Sequence, residues 1–508
     1  MQAQKESVEG RTMFTTVEET NTRITAAHAA YEQARDIDPG TRAAWLRGIA
    51  AALEANADEL VALGQEETHL DEGRLSFELK RSVFQLRLFA EEVVRGEHLD
   101  ATIDHADPTW GMGPRPDIRR VSVPLGVVGV FGASNFPFAF SVMGGDSASA
   151  LAAGCAVVHK IHEGHLQLAL RTGAIVEEAL ESVGAPQGLF STIIGRAAAE
   201  CLVDHPLVKA IGFTGSTAGG RALFDRAARR STPIPFYGEL GSINPVFVTE
   251  AAWKLRRDEI LAGFASSFTM GMGQFCTKPG LLFVPGYSSA LTGNGDDVSD
   301  ILKREVAGKP RRPLLSPRLR EGFDRAVETV RAAPGVDVLL AGDDSEAPHP
   351  TILKTTADHV RKHPGILEQE MFGPAAVVVE YHPGDDLVSL AGLMVGQLTG
   401  SVHAEPHEDV SDLLSTLRER CGRLLWNAWP TGVTVSYAQH HGGPYPATTA
   451  TTTSVGTAAI ARFMRAVAYD SFPPSQLPAP LRDDNPWRIR RRVDGAWDSP
   501  IPEGKVSE

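Results

Sequence analysis

Cysteine is scarce in this chain: four thiols in 508 residues, at positions 155, 201, 276 and 421. They are too few and too scattered for a disulfide framework or a CxxC-type metal site, which points to a reducing, cytoplasmic compartment. Long apolar runs are also missing. The most apolar stretch, 121–158, is interrupted by Asn135, Asp146 and several serines, so no membrane span is expected. The opening MQAQKESVEGRTMFTT is polar and lacks the apolar centre of a signal peptide, and Met13 offers an alternative start. Excess positive charge is absent too. Lys and Arg total 49 against 63 Asp and Glu, a net charge of −14, so a nucleic-acid or acidic-membrane footprint is excluded. What remains is an ordinary globular composition, 43% hydrophobic and 22% charged, long enough for two or three domains.

The chain then divides by pattern. Residues 16–98 read as helices: Trp45/Leu46, Ile49, Leu53, Leu60 and Leu63 fall at helical spacing behind a DPGT start, and Leu75, Leu79, Val83, Leu86 and Val93 repeat it. Residues 105–120 break the period with Pro108, Pro114, Pro116 and two glycines, then alternate through Asp117–Val123 as an edge ribbon would. From Gly126 the order is strand–helix–strand. Strands are expected at Val127–Phe131, Ala156–Lys160, 189–194, Val208–Phe213 and up to Glu239, with helices at about 142–153, 165–182 and 217–230. Such repeats argue for a doubly wound parallel sheet with its ligand at the carboxyl ends of the strands. After 241 a second α/β pattern begins, with a strand at Pro245–Val248 and a helix at 255–269. Residues 285–312 and 340–350 read as polar loops, and Leu424–Trp426, Gly432–Val435 and Met464–Tyr469 read as strands.

Three stretches carry chemistry. Met270–Pro279, MGMGQFCTKP, holds Cys276 behind Gly271 and Gly273, which leave backbone room for a ligand near the sulfur. A cysteine alone is more often a small buried hydrophobe. There is no GxGxxG at the first strand–helix turn. The phosphate-binding candidate is instead Gly212-Phe213-Thr214-Gly215-Ser216, between a strand and a helix. His440-His441 suggests a metal, but two adjacent histidines without further ligands rarely make a site, and no metal is assigned.

Seven segments, in order, carry a resemblance. They are GVFGASNFPFAFS (129–141), VVHK (157–160), GFTGSTAGG (212–220), FYGELGSINP (236–245), GQFCTKPG (273–280), EMFGP (370–374) and GGPYPATT (442–449). Over roughly residues 15–500 the chain resembles the NAD(P)-dependent aldehyde dehydrogenases, most of all the α-ketoglutaric semialdehyde (2,5-dioxovalerate) dehydrogenases. The resemblance implies an α/β aldehyde dehydrogenase-like fold of two doubly wound parallel-sheet domains and a small β oligomerisation ribbon. Residues 1–104 and 125–240 would form the NAD(P)-binding domain and 241–460 the catalytic domain. Residues 105–124 and 461–508 would form the ribbon and tail, pairing subunits into a homodimer or homotetramer. No nucleic-acid or membrane partner is implied.

The resemblance also implies roles. Cys276 is the nucleophile that forms a thiohemiacetal, Asn135 with the Cys276 backbone N–H holds the oxyanion, and loss of hydride to the nicotinamide leaves a thioester. Glu239, brought toward neutrality by partial burial, activates the hydrolytic water and favours water over coenzyme A as acyl acceptor. Glu370 and Phe372 grip and pack the nicotinamide ribose, Lys160 binds the adenosine ribose, and Gly215 and Ser216 lie at the pyrophosphate. Lys278 receives no role. Cofactor choice is divided. Glu163 sits where NAD-preferring members place a glutamate, while Arg196 matches an arginine used for the 2′-phosphate, so both NADP and NAD are expected to serve. The implied reaction is α-ketoglutaric semialdehyde to 2-oxoglutarate. Alternatives are a broad-specificity or fatty-aldehyde enzyme, with Phe136, Phe138, Phe275, Trp426 and Trp429 lining a tunnel, and a non-catalytic protein on the same fold. A hydrolase pairing Cys276 with a histidine lacks a cysteine-protease signature.

Overall fold

The computed structural model describes residues 14–286 and 298–498. The opening segment read for a leader, the stretch 287–297 of the first expected loop and the end of the tail lie outside the described residues. Four helices form the amino-terminal part: Val17–Ala34, Pro39–Ala55, Ala57–Thr68 and Glu72–Arg95. Their starts are set locally. Thr16 and Glu19 make a reciprocal capping box, Asp38 caps a helix opening on Pro39, and Asp71 caps the last. The last helix stops at Gly96, which is left-handed. Leu46, Ile49, Leu53, Leu75 and Leu86 pack with the first sheet in one core, so burial of these stripes, more than helix propensity, holds the helices.

That first sheet is all parallel. Its order is Phe190–Ile193, Ala156–Lys160, Val127–Phe131, Val208–Thr214, Phe236–Glu239. Val127–Phe131 is buried at every position, as a strand covered on both faces must be. The chain runs outward from this strand in one direction and then crosses to its other side. The switch point between residues 131 and 214 therefore opens a crevice at the carboxyl ends, where Asn135, Lys160, Gly215, Ser216 and Glu239 lie.

The second sheet has seven strands in the order Asp337–Leu340, Thr351–Thr356, Ala375–Tyr381, Leu281–Pro285, Pro245–Val248, Gln397–His403, Cys421–Trp426, parallel except for the first. It meets the crevice the other way round. Asn244, Cys276–Lys278 and Glu370–Phe372 each come just before a strand, so this sheet contributes its amino ends. A third, small sheet pairs Met464–Asp470 antiparallel to Ile118–Pro124, followed by Thr102–Asp104, Arg491–Val493 and Ala496–Asp498. Among the described residues no helix is long and apolar enough to cross a membrane.

Three expectations are corrected. Val298–Ala307 is a helix inside the expected 285–312 loop, because Val298, Ile301, Leu302 and Val306 supply a buried stripe within a polar sequence. The helix expected from 255 begins at Glu250 and breaks at Arg256, whose φ of −134° is non-helical. Gly432–Val435 is not a strand. Gly432 has φ +97°, and its carbonyl and that of Val433 accept hydrogen bonds from the side chains of Arg423 and Arg81. Those arginines take the place of a ladder partner.

Candidate active site

Glu239 ends its strand with the carboxylate buried. Its Oε1 lies 2.9 Å from His441 Nε2, and Ser454 Oγ donates to its Oε2 at 3.1 Å. The same Nε2 lies 3.6 Å from Cys276 Sγ. One donor atom from each of these three residues falls within 4.8 Å of the others. Facing an anionic carboxylate, Nε2 carries the proton and donates a hydrogen bond to Glu239, and the three donors also suit a transition-metal ion. The backbone holds the imidazole, since His441 N–H donates to Thr453 Oγ1 at 2.9 Å and its carbonyl accepts from Ser454 N–H at 2.8 Å. A narrow cleft borders the pair and is lined by Tyr237, Glu239, His441, Thr448, Ser454 and Arg462 among others.

Charge is uneven across this trio. Burial pushes the Cys276 thiol well above its ordinary range, and the neighbouring Glu239 carboxylate pushes it further. Burial also acts to raise Glu239, but His441, Cys276 and Ser454 favour the anion and hold the group below the usual carboxylate range. Glu239 is therefore not brought toward neutrality as the sequence suggested. Its hydrogen-bond partners outweigh its desolvation.

The cysteine loop is clamped from two sides. Asn244, left-handed at φ 60°, donates through Nδ2 to the carbonyls of Cys276 and Lys278 at 2.8 and 2.9 Å. Its Oδ1 accepts from Ser242 and Thr399. Lys278 is buried and directs Nζ at the carbonyls of Met371, Gly373 and Ala375, at 2.6, 3.3 and 2.7 Å. It thereby ties the cysteine loop to the EMFGP loop. The two loops touch at Gly273, where a Cβ would sit 2.1 Å from the Gly373 carbonyl oxygen, so only glycine fits. Asn135 faces the same loop, with Nδ2 donating to the Gln274 carbonyl at 3.0 Å.

The crevice continues away from the thiol. Glu370 is raised by burial. Its Oε2 and Thr217 Oγ1 would both lie 2.7 Å from a Cβ on Gly241, so the missing side chain lets this carboxylate and the start of the helix Thr217–Ala228 close on the same stretch of backbone. Phe372 is part of the same loop and half-buried. Ser216 caps that helix, its Oγ accepting from Gly219 N–H at 3.3 Å, and Gly215 N–H donates to the Glu239 carbonyl at 3.1 Å. Free amides at this helix start favour an anion. Farther out, Lys160 Nζ pairs with Glu163 Oε1 at 2.7 Å. Arg196 is 92% exposed and pairs with Glu200 at 2.9 Å. A dinucleotide fits this run: the buried Glu370 carboxylate from the second sheet's side, then a helix N-terminus and a lysine–glutamate pair along the carboxyl ends of the first, parallel sheet.

Residues 2–465 match the sequence profile described as the aldehyde dehydrogenase family. The chain belongs to the aldehyde dehydrogenase family. It is 42% identical over 482 residues to alpha-ketoglutaric semialdehyde dehydrogenase 2 of Azospirillum brasilense, covering 92% of this chain and 90% of that one. It is 37% identical over 491 residues to the alpha-ketoglutaric semialdehyde dehydrogenase of Acinetobacter baylyi, covering 94% and 91%. A solved structure of a proline utilization A mutant from Bradyrhizobium japonicum aligns with TM-score 0.74 at 23% identity over 90% of this chain. This chain spans 46% of that longer protein, and the likeness concerns the fold alone. As an aldehyde dehydrogenase the protein is an oxidoreductase that acts on small aldehydes with NAD or NADP.

The aldehyde dehydrogenase site contains more than the sequence reading assigned. His441 was considered only as half of a histidine pair. The Glu239–Thr448 bridge and the bond from Leu240 N–H to the Ala447 carbonyl bring it beside the strand end, which no spacing along the chain reveals. Asn244 lay inside the quoted ELGSINP, where the residue before Pro245 carried a legible hint of special backbone. The proposed aromatic tunnel does not assemble. Phe136 and Phe275 meet edge to face at 5.1 Å with the Arg74 guanidinium against both. Phe138 is in the amino-terminal core, Trp429 packs on Phe264 and His403, and Trp426 is exposed.

Proposed function

We propose that this aldehyde dehydrogenase oxidises α-ketoglutaric semialdehyde to 2-oxoglutarate through Cys276. The substrate reading is carried by the two relatives named for this aldehyde, each matched over more than nine-tenths of the present chain. In the proposed mechanism the thiol resides protonated until an aldehyde arrives. As sulfur attacks the carbonyl carbon its proton leaves to bulk water, while His441 Nε2–H, donating to Glu239, keeps that carboxylate anionic for the later hydrolysis. Asn135 Nδ2, turning from the Gln274 carbonyl, and the Cys276 backbone N–H receive the oxyanion. NAD(P) bound in the crevice supplies the hydride acceptor. The resulting thioester on Cys276 is hydrolysed by a water deprotonated by Glu239, which His441 and Ser454 hold in place.

In the same reading Glu370 holds the nicotinamide ribose against Phe372, Gly215 and Ser216 meet the pyrophosphate, and Lys160 meets the adenosine ribose. Glu163 opposes a 2′-phosphate and Arg196, once released from Glu200, favours it, so both cofactors are used. Residues 1–104 and 125–240 serve as the cofactor-binding domain and 241–460 as the catalytic domain. The protein works in the cytoplasm as a homodimer or homotetramer. Met464–Asp470 lies at the rim of the small sheet, where its free edge is available to a second subunit. A reduced-cofactor absorbance assay comparing the semialdehyde with hexanal to decanal tests this reading. Clear preference for the dioxo acid supports it, and preference for the long aldehydes moves the assignment to a fatty-aldehyde enzyme.

A further inference from the structure

A substrate that carries a carboxylate needs a cation near the thiol; Arg462, which lines the adjoining cleft, is paired with Asp146, and three further arginines lie around the region. Arg74 is committed to Glu78, donating to Oε2 at 3.1 Å, and is held between Phe136 and Phe275. Arg423 gives its terminal nitrogens to the carbonyls of Gly432 and Pro430. Arg81 differs. Its Nε donates to the Val433 carbonyl at 3.2 Å, but Nη1 and Nη2 are both shut off from solvent without a hydrogen-bond partner.

Such a group is costly to leave unpaired. A guanidinium stays charged in proteins, and its buried donors lose water without replacement. Arg81 does not face an arbitrary part of the interior. Its Cζ lies 5.3 Å from the centre of the Phe140 ring, and that ring is 6.0 Å from His441. The Glu239 carboxylate is among the charges that it feels. The acid nearest along its own helix, Glu78, is already satisfied: Oε1 accepts from the N–H groups of Phe138 and Ala139 at 2.8 and 2.9 Å, and Oε2 from Arg74. The helix Glu72–Arg95 fixes Arg81 on a rigid element, and Val433 fixes the guanidinium at one edge. Its other edge is left as a two-pronged donor without a partner, the geometry that matches a carboxylate.

We propose that Arg81 anchors the carboxylate of the substrate, its two Nη groups donating to the two carboxylate oxygens while the aldehyde end reaches Cys276. This rests on the semialdehyde-acid reading and gives it a specificity residue. Neutral aldehydes of the same length would leave the donors unpaired, so the enzyme would discriminate by charge as well as by size.

The test compares kcat/KM for α-ketoglutaric semialdehyde and for pentanal, in wild type, Arg81→Gln, Arg81→Lys and Arg74→Gln. In wild type the semialdehyde is preferred. In Arg81→Gln the ratio of the two efficiencies falls roughly 100-fold, the scale of losing a bidentate charge-assisted pair, chiefly through KM for the semialdehyde. Arg81→Lys keeps the charge without the fork and falls about 10-fold, which also serves if Arg81→Gln does not fold. A wild-type preference that survives both Arg81 substitutions overturns the inference and leaves the substrate reading standing. Collapse of the ratio in Arg74→Gln alone also overturns it. No preference in wild type overturns the substrate reading itself.

Discussion

The two ends of the crevice are built differently. At the thiol end Cys276, Glu239, His441, Asn244 and Lys278 lock one another through short contacts away from water, and each loop is fixed by side chains from elsewhere in the fold. At the adenosine end the polar groups are Lys160 with Glu163 and Arg196 with Glu200, partly or fully in solvent. Exposed pairs of that kind are worth about 0–1 kcal/mol each, and they rearrange at little cost. A buried, prearranged site commits the chain to one chemistry, whereas a surface of loose ion pairs leaves the cofactor choice open.

The largest effect should come from the buried end. Cys276→Ala is expected to lower kcat by on the order of 10⁴-fold or more, while cofactor affinity, read by fluorescence titration, stays within about threefold since the nucleophile is none of the groups assigned to hold the dinucleotide. Substantial turnover in this variant would remove the thiol from the mechanism. His441→Ala should lower kcat about 100-fold, as expected when the general base Glu239 loses the donor that holds it. A change confined to KM would make the histidine a packing residue.

A smaller effect concerns pH. Burial and the Glu239 carboxylate both disfavour the thiolate, so the folded-state pKa of Cys276 lies above its unfolded value. The anion therefore grows only at pH beyond the ordinary thiol range, about 8.5. Alkylation of the free enzyme by iodoacetamide should keep climbing past that point, and a plateau near neutrality would reverse the sign. The smallest effect belongs to the exposed end. Glu163→Ala should raise the NADP-to-NAD ratio of kcat/KM about tenfold, by removing a carboxylate that repels the 2′-phosphate. An unchanged ratio removes Glu163 from cofactor choice.

The same contrast explains what was legible in the sequence. Strands Val127–Phe131, Ala156–Lys160 and Pro245–Val248 have the bounds that their apolar runs indicate, because both faces are buried and nothing else competes. Cys276, Glu239 and Asn135 stood out because they sit in dense local motifs. His441 did not, since its role arises from a bridge between strand end and loop across some two hundred residues of chain. Lys278 and Arg81 were similarly silent: one acts through backbone carbonyls of another loop, the other through bonds it has not made. The helix Val298–Ala307 was hidden by the polar composition around its four apolar residues.

The most direct measurement is a rapid-mixing trace of reduced cofactor with Glu239→Gln and α-ketoglutaric semialdehyde. With the hydrolytic carboxylate neutralised, the thioester on Cys276 should accumulate, giving a burst of about one reduced cofactor per subunit before a slow steady rate. Intact-protein mass should then show the matching acyl adduct. A linear trace at the wild-type rate, with no adduct on Cys276, would contradict the assignment of Glu239 to thioester hydrolysis.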